Sequence, residues 1–304
     1  MRSKNGIALL ITLFFIIAIT VLVGIGLRHV NSMASDIQKE KFLLQTRLLL
    51  DDVLSLLKSS KELDNIVKNN SNEGLYVFLS QVGYLPLSTN EMEVILEIES
   101  ARSKINPNVF KDTNSTFNIQ RVDTFKEYLS RYNVDYIYAD LLLDAMMGIK
   151  EDFSYNTDIF TLHPKLFRDY LASKAHLGYL NDYFRDRYRY NTHTQIDFDS
   201  LFYYSKKKNT PIDLNFAKPE VWKFLLGCEE ARAEQLYALA GMCSNYECFE
   251  LSDFEKERLG RFNISFYESV LFVKVTMFQN DLKASVVFEY DMKSKKGSNF
   301  VYEI

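Results

Sequence analysis

The sequence predicts an α+β fold: a long apolar N-terminal helix, then an antiparallel sheet interrupted by a large block of helices. Three observations predict it. Residues 7–27 contain no charged side chain, alternating strand-like segments lie near residues 92–99 and 266–290, and the stretch between them is spaced like helices. The chain has 304 residues, 47% hydrophobic and 25% charged, with only 5 Pro, which is the make-up of a folded protein.

The first element is the most informative. Ile7 to Leu27 reads IALLITLFFIIAITVLVGIGL. At 1.5 Å per residue it would cover roughly 30 Å, the hydrocarbon core of a bilayer. Gly24 and Gly26 are tolerable there because helical backbone bonds close internally. Arg2 and Lys4 precede the run, and Arg28, His29, Asp36 and Glu40 follow it. That balance favours the N-terminus inside and the rest outside. A secretory signal would stop after about 7 to 15 apolar residues; this run is longer, and only Ala34 offers a weak cleavage site.

Val30, Met33, Ile37 and Leu44 continue at helical spacings, and Leu43, Leu50, Leu54 and Leu57 extend an apolar stripe among Lys39, Glu40, Lys41, Arg47, Asp51 and Asp52. Residues 7–58 contain no Pro, so one helix of roughly 75 Å is expected. Lys58 to Gly74 is polar and turn-rich and should close this stem. Leu75 to Val82 reads as a short helix or strand.

Met92 to Glu99 alternates, with Val94, Leu96 and Ile98 on one face, and Asn106-Pro107 marks a turn. Helices are expected over Val122–Tyr132, Val134–Met147, Pro164–Leu171, Leu177–Tyr188, Phe198–Lys206 and Pro219–Leu239. The last is the most regular, through Val221, Phe224, Leu225, Cys228, Ala231, Gln235, Leu236 and Leu239. Phe266–Phe278 and Leu282–Tyr290 then form a hairpin about Gln279-Asn280-Asp281, and Phe300–Ile304 supplies an edge strand.

The leader MRSKNG ends in Gly6 directly before Ile7. This resembles the type IV prepilin processing site, in which a prepilin peptidase cuts after the glycine and the new N-terminus, here Ile7, is methylated. The loss of Arg2 and Lys4 would take the formal charge from −4 to −6. At the fifth mature position, where most members carry Glu, this chain has Ile11. A subunit without that carboxylate has no such bond to make with a subunit above it, which fits the tip of a filament.

Together these pieces resemble the type II secretion system minor pseudopilin K family (general secretion pathway protein K) of the type IV pilin-like superfamily. Ile98 to Asn108 resembles the family's strand and turn. Leu141, Leu142 and Asp144 resemble its aliphatic-Asp stretch, without the Trp that commonly follows. Tyr190, Asn191, Phe198 and Leu201 resemble a further segment, and Pro211 to Ala217 (PIDLNFA) is the most specific internal match. Asp213 and Asn215 are expected to close a turn and cap the helix near Pro219.

The resemblance implies residues 1–6 as leader, 7–27 as transmembrane helix and 28–60 as its periplasmic part, in a single-pass protein of the bacterial inner membrane with its C-terminal domain in the periplasm. It also implies a pilin-like α/β domain over 61–119 and 241–304 and an inserted helical subdomain over 120–240. It implies a minor pseudopilin at the tip of the pseudopilus, partnered by minor pseudopilins I and J and contacting the secretin or the secreted substrate. A minor pilin of a type IV pilus, or a membrane-tethered periplasmic binding domain, are the alternatives. Some members hold calcium in the insert; here Asp144, Glu151, Asp152, Asn156 and Asp158 could supply oxygen ligands, although their spacing is not that of an EF-hand.

The remaining residues argue against other classes. Net charge −4 gives no field for nucleic acid, and Lys206 to Lys208 reads as a solvated loop. His29, His163, His176 and His193 do not converge, and neither a phosphate loop nor a nucleophile elbow is present, so an enzyme is not expected. Cys243 and Cys248 either form a local disulfide or stay ordinary thiols, with Cys228 unpaired.

Overall fold

The computed structural model describes residues 37–88, 92–112, 116–152 and 154–303. Its first element, α1, is a helix over residues 37–59. Ser60 then caps α2 (Lys61–Asn69) by accepting from the Leu63 amide, and Ser71 caps α3 (Asn72–Val82) in the same way at Gly74. The polar stretch expected to be turns is therefore helical: its Ser and Asn residues serve as helix caps, and Leu63 and Ile66 are buried.

A five-stranded antiparallel sheet follows in the order β1 (Tyr84–Ser88), β2 (Glu93–Ser100), β5 (Val270–Gln279), β6 (Leu282–Asp291) and β7 (Lys296–Glu303). Pairing puts Val94 opposite Met277 and Ile98 opposite Val273, so the β2 alternation continues into β5. The β5–β6 turn has Asn280 at φ 53°, a left-handed position that Asn tolerates.

Both sheet edges are blunted. The Ile98 amide donates to Gly83 O at 2.9 Å, and the antiparallel alternation then sends the backbone groups of Tyr84, Pro86 and Ser88 to the free side, where Pro86 has no N–H. On β7, a register shift opposite Val287 and Glu289 coincides with Asn299 at φ 56°, a bulge that breaks the free edge.

Everything between β2 and β5 forms a second layer. Ser100 pairs with Leu271, and the Ala101 amide donates to Val270 O at 2.9 Å. The insert thus leaves and re-enters the sheet at one point, which lets it build its own core. It contains α4 (Ile119–Arg131), α5 (Tyr136–Met146), α6 (Ile159–Leu162), α7 (Lys174–Tyr188), α8 (Phe198–Leu201), α9 (Pro219–Leu226), α10 (Glu230–Tyr237) and α11 (Asp253–Leu259). A two-stranded parallel pair, β3 (Ile212–Asp213) with β4 (Ile264–Ser265), closes it. Its core is aromatic: Phe110 stacks on Phe125 at 5.1 Å, and Tyr128 meets Phe224 at 5.4 Å.

Three helix expectations are corrected. Pro219–Leu239 is two helices, because Gly227 at φ 65° ends α9 and starts a new direction. Pro164–Leu171 is irregular, with Asp169 at φ 109°. The helical layer also runs beyond 240, to α11, whose Ser252 and Glu255 form a capping box.

The expected fold class is corrected in one respect. Among the described residues no helix is long and apolar enough to cross a membrane. The segment 7–27 lies outside the described residues, as do Gly6, Ile7, Ile11, Val30 and Met33. The described residues therefore supply no membrane-spanning helix, and the expected long transmembrane helix and the single-pass inner-membrane and periplasmic placement built on it are not borne out by them. The described α1 carries Lys39, Glu40, Lys41, Arg47, Asp51, Asp52 and Lys58, charges a bilayer core would not accept unpaired.

Candidate interaction surface

The side of α1 facing the sheet is set by Phe42, Thr46, Leu50, Val53 and Leu57, all buried at spacings of three and four. They join Val94, Ile98, Val273, Val275, Met277 and Phe288 in one core. Each apolar member contributes about 1.5–3 kcal/mol. The Thr46 hydroxyl is satisfied by Phe42 O at 2.9 Å, so a polar residue costs little in this stripe.

The opposite side of α1 exposes three large apolar side chains. Ile37, Leu44 and Leu48 are 64%, 59% and 55% exposed, and steps of seven and four residues align them on the outer face, flanked by Leu43 and Leu56. A helix that only covered a sheet would be polar there. Lys41 and Asp51 fall within the same stripe, between Ile37 and Leu44 and one turn after Leu48, and Glu40, Arg47 and Asp52 border it, so a partner element would meet apolar contacts interspersed with charges of both signs. Of the residues read from the sequence as one stripe, Leu50 and Leu57 are buried, Leu54 is half-buried, and Ile37, Leu43 and Leu44 are exposed. Phe42, Thr46 and Val53 were not in that reading; a full turn-by-turn projection of 37–59 would have found them.

A buried joint holds the helical layer against the sheet, and it involves the segment singled out as PIDLNFA. The Asp213 carboxylate accepts from the Asn215 amide at 3.1 Å and from the Glu268 amide at 2.9 Å. Asn215 accepts from the Cys243 amide at 3.0 Å and donates to Phe266 O at 2.6 Å and to Cys243 O. Asp213 also donates its own amide to Arg102 O at 2.9 Å, and Arg102 forms a bidentate pair with Glu289 of β6 at 2.9 and 3.0 Å. Asp213 and Asn215 do not cap the helix at Pro219, where Lys218 occupies the cap without a side-chain bond. Burial drives the Asp213 pKa up to about 7, because the two amides do not offset its desolvation.

The oxygen-rich loop is not arranged for calcium. Asp144 is fully buried, and its two oxygens accept from the amides of Asn156 and Thr157 at 3.0 and 2.7 Å and from the Thr157 hydroxyl at 2.8 Å. Asp158 instead binds Arg187, at 3.0 and 2.7 Å, and Tyr183. Asp152 accepts from the Ser154 amide at 3.1 Å, and Glu151 is exposed. With the oxygens of Asp144 and Asp158 given to N–H and O–H donors, these two carboxylates do not fit a cation that needs six to eight oxygens. Among the described residues no three His, Cys, Asp or Glu side chains converge to hold a metal.

Cys243 and Cys248 are joined by a disulfide, and Cys228 is free. His193 is buried against Tyr138, with ring centroids 5.5 Å apart. His163 meets Tyr179 and Tyr183 edge-on, so these two imidazoles pack against rings and do not form a proton-transfer pair.

No family model and no curated protein matches the chain. A solved structure does: a chain of the GspK-GspI-GspJ complex from the type 2 secretion system of enterotoxigenic Escherichia coli, with TM-score 0.58. The identity is 13%, and the match covers 88% of this chain and 99% of that chain. The likeness establishes a shared fold, insert included.

Proposed function

We propose that the protein is a minor pseudopilin of a type II secretion apparatus, which promotes pseudopilus assembly by packing its α1 ridge against the helices of companion subunits. The observation carrying this reading is the row of large apolar side chains on α1, exposed on a fold shared with a chain of a three-pseudopilin complex. Ile37, Leu44 and Leu48 lose nothing by exposure in isolation, but they supply the apolar seam on which a parallel helix can seat. The companions are counterparts of GspI and GspJ, and the place is the filament tip, which Ile11 at the fifth mature position favours. Cleavage after Gly6 by a prepilin peptidase belongs to the same reading, as does export of proteins across the outer membrane. The blunted sheet edges support helix packing over strand addition as the means of assembly.

The decisive experiment replaces Leu44 and Leu48 together by Asp and co-expresses the chain with its neighbouring pilin-like proteins. Both positions are exposed, so the melting temperature should stay unchanged while co-purification is lost. Co-purification at the unaltered level would overturn the proposal.

A further inference from the structure

The Cys243–Cys248 bridge is asymmetric. Cys243 is fully buried, whereas Cys248 is exposed. The backbone of Cys243 is held apart from the bridge: its amide donates to Asn215 at 3.0 Å, and its carbonyl accepts from Asn215 and, at 3.0 Å, from Asn72. Asn72 lies at the start of α3, so two separated segments fix this one residue. After the bridge, Phe249 is buried between Trp222, at 5.3 Å, and Phe266, at 6.3 Å. Ser244, Asn245 and Glu247 between these anchors are exposed, and Tyr246 lies half-buried on Phe266 at 5.1 Å.

Thiol–disulfide exchange requires the attacking thiolate to approach in line with the sulfur–sulfur bond, and it occurs at the accessible sulfur. Attack on Cys243 Sγ would have to come from the side of the core, around a residue that has no exposed surface and whose backbone is bonded to Asn215 and Asn72. Attack on Cys248 Sγ comes from the solvent side.

We propose that Cys248 is a thiol–disulfide exchange site, the sulfur at which a dithiol oxidoreductase opens and closes the bridge, with Cys243 as the buried leaving group. In the opening direction a thiolate of the dithiol bonds to Cys248 Sγ and the bridge breaks. Its electron pair stays on Cys243 Sγ, which takes a proton. The second thiol of the partner then displaces Cys248, so two electrons pass to the protein and the partner leaves as its own disulfide. The closing direction is the reverse, with Cys248 the first to bond the oxidised partner. Because Asn215 and Asn72 keep Cys243 in place, reduction releases residues 244–248 and leaves the joint intact. The bridge is thus a local lock on one surface loop.

The test uses the full chain and a reduced CxxC oxidoreductase whose resolving cysteine is replaced by Ser, so that mixed disulfides accumulate. After acid quenching, peptide mapping should place the oxidoreductase on Cys248 at least tenfold more often than on Cys243. Equal labelling, preference for Cys243, or no adduct would overturn the assignment. Separately, dithiothreitol-reduced and alkylated protein should be cut by chymotrypsin first at Tyr246 with other sites protected. Cutting spread over the chain would show that reduction unfolds more than the loop. An Asn215→Ala variant supplies the contrast: its reduced form should lose the confinement that the wild type keeps.

Discussion

The Asp213 carboxylate accepts the Glu268 amide at 2.9 Å, and this bond ties β3 of the helical layer to the segment that enters β5. The same carboxylate accepts only one other amide, from Asn215, and Glu268 adds a like charge nearby. The chain is held here by a group that burial makes reluctant to ionise.

Stability should consequently depend on pH through Asp213. Its folded pKa, about 7, lies above the ordinary aspartate value of 3.8, so the folded state holds the proton more tightly than the unfolded chain. The resulting stabilisation is fully present below pH 3.8 and is lost as pH rises through about 7. A shift of that size corresponds to at most roughly 4 kcal/mol. Asp158, Glu99 and Glu255, whose pKa values are lowered, act in the opposite direction. The measurement is therefore the difference in unfolding free energy between wild type and Asp213→Asn from pH 4 to 8. It should change with pH in favour of the wild type at the acid end; a flat difference would refute the assignment.

The Arg102–Glu289 pair has side chains only 7% and 12% exposed. Removing one member leaves the other nearly buried and unpaired, at a cost of about 3–5 kcal/mol. Glu289→Ala should lose about that much in urea unfolding, whereas Glu303→Ala, on the exposed β7, should change little. Equal effects would mean that the bidentate pair is not what couples the layers.

Much of the sheet was legible in the sequence, because β2, β5 and β6 alternate cleanly and the β5–β6 turn is short. The joint was not. Arg102 and Glu289 are 187 positions apart, and no local pattern marks either as a partner of the other. Local signals also misled in a consistent way. The three-and-four spacing of Val221 to Leu239 passes through Gly227, yet periodicity alone cannot show that this glycine turns left-handed and separates α9 from α10. β1 escaped notice because Pro86 within a five-residue run argues against a strand unless it lies at an edge, which is where it lies. For the candidate surface, the apolar content of α1 was visible, but which leucines face the sheet depends on the packing of a core drawn from both ends of the chain.

Asp144 latches residues 156–157 through its two oxygens. Asp144→Ala would leave the partly buried amides of Asn156 and Thr157 without their acceptor, an effect of about 1–2 kcal/mol. Because no cation is needed to explain the bonding of this carboxylate, neither added calcium nor a chelator should move the melting temperature of the wild type. A calcium-dependent rise that Asp144→Ala abolishes would show that the loop rearranges around a metal.

The leader reading makes the last prediction, and it concerns residues whose chemistry can be read by mass alone. If a prepilin peptidase acts on the chain, the mature protein begins at a methylated Ile7 and lacks Arg2 and Lys4. Replacing Gly6 by a bulky residue would block the small site that the peptidase must approach closely. Intact mass and N-terminal peptide mapping of protein from peptidase-positive cells should therefore show the six-residue loss for the wild type and none for Gly6→Leu. The Leu44/Leu48 ridge should remain competent to fold in both, since its geometry depends on α1 and the sheet, so failure of the uncut form to co-purify with companion subunits would locate the requirement in the leader. An uncut wild type that still assembles with its companions would separate the ridge from the processing site and remove the leader from the proposal.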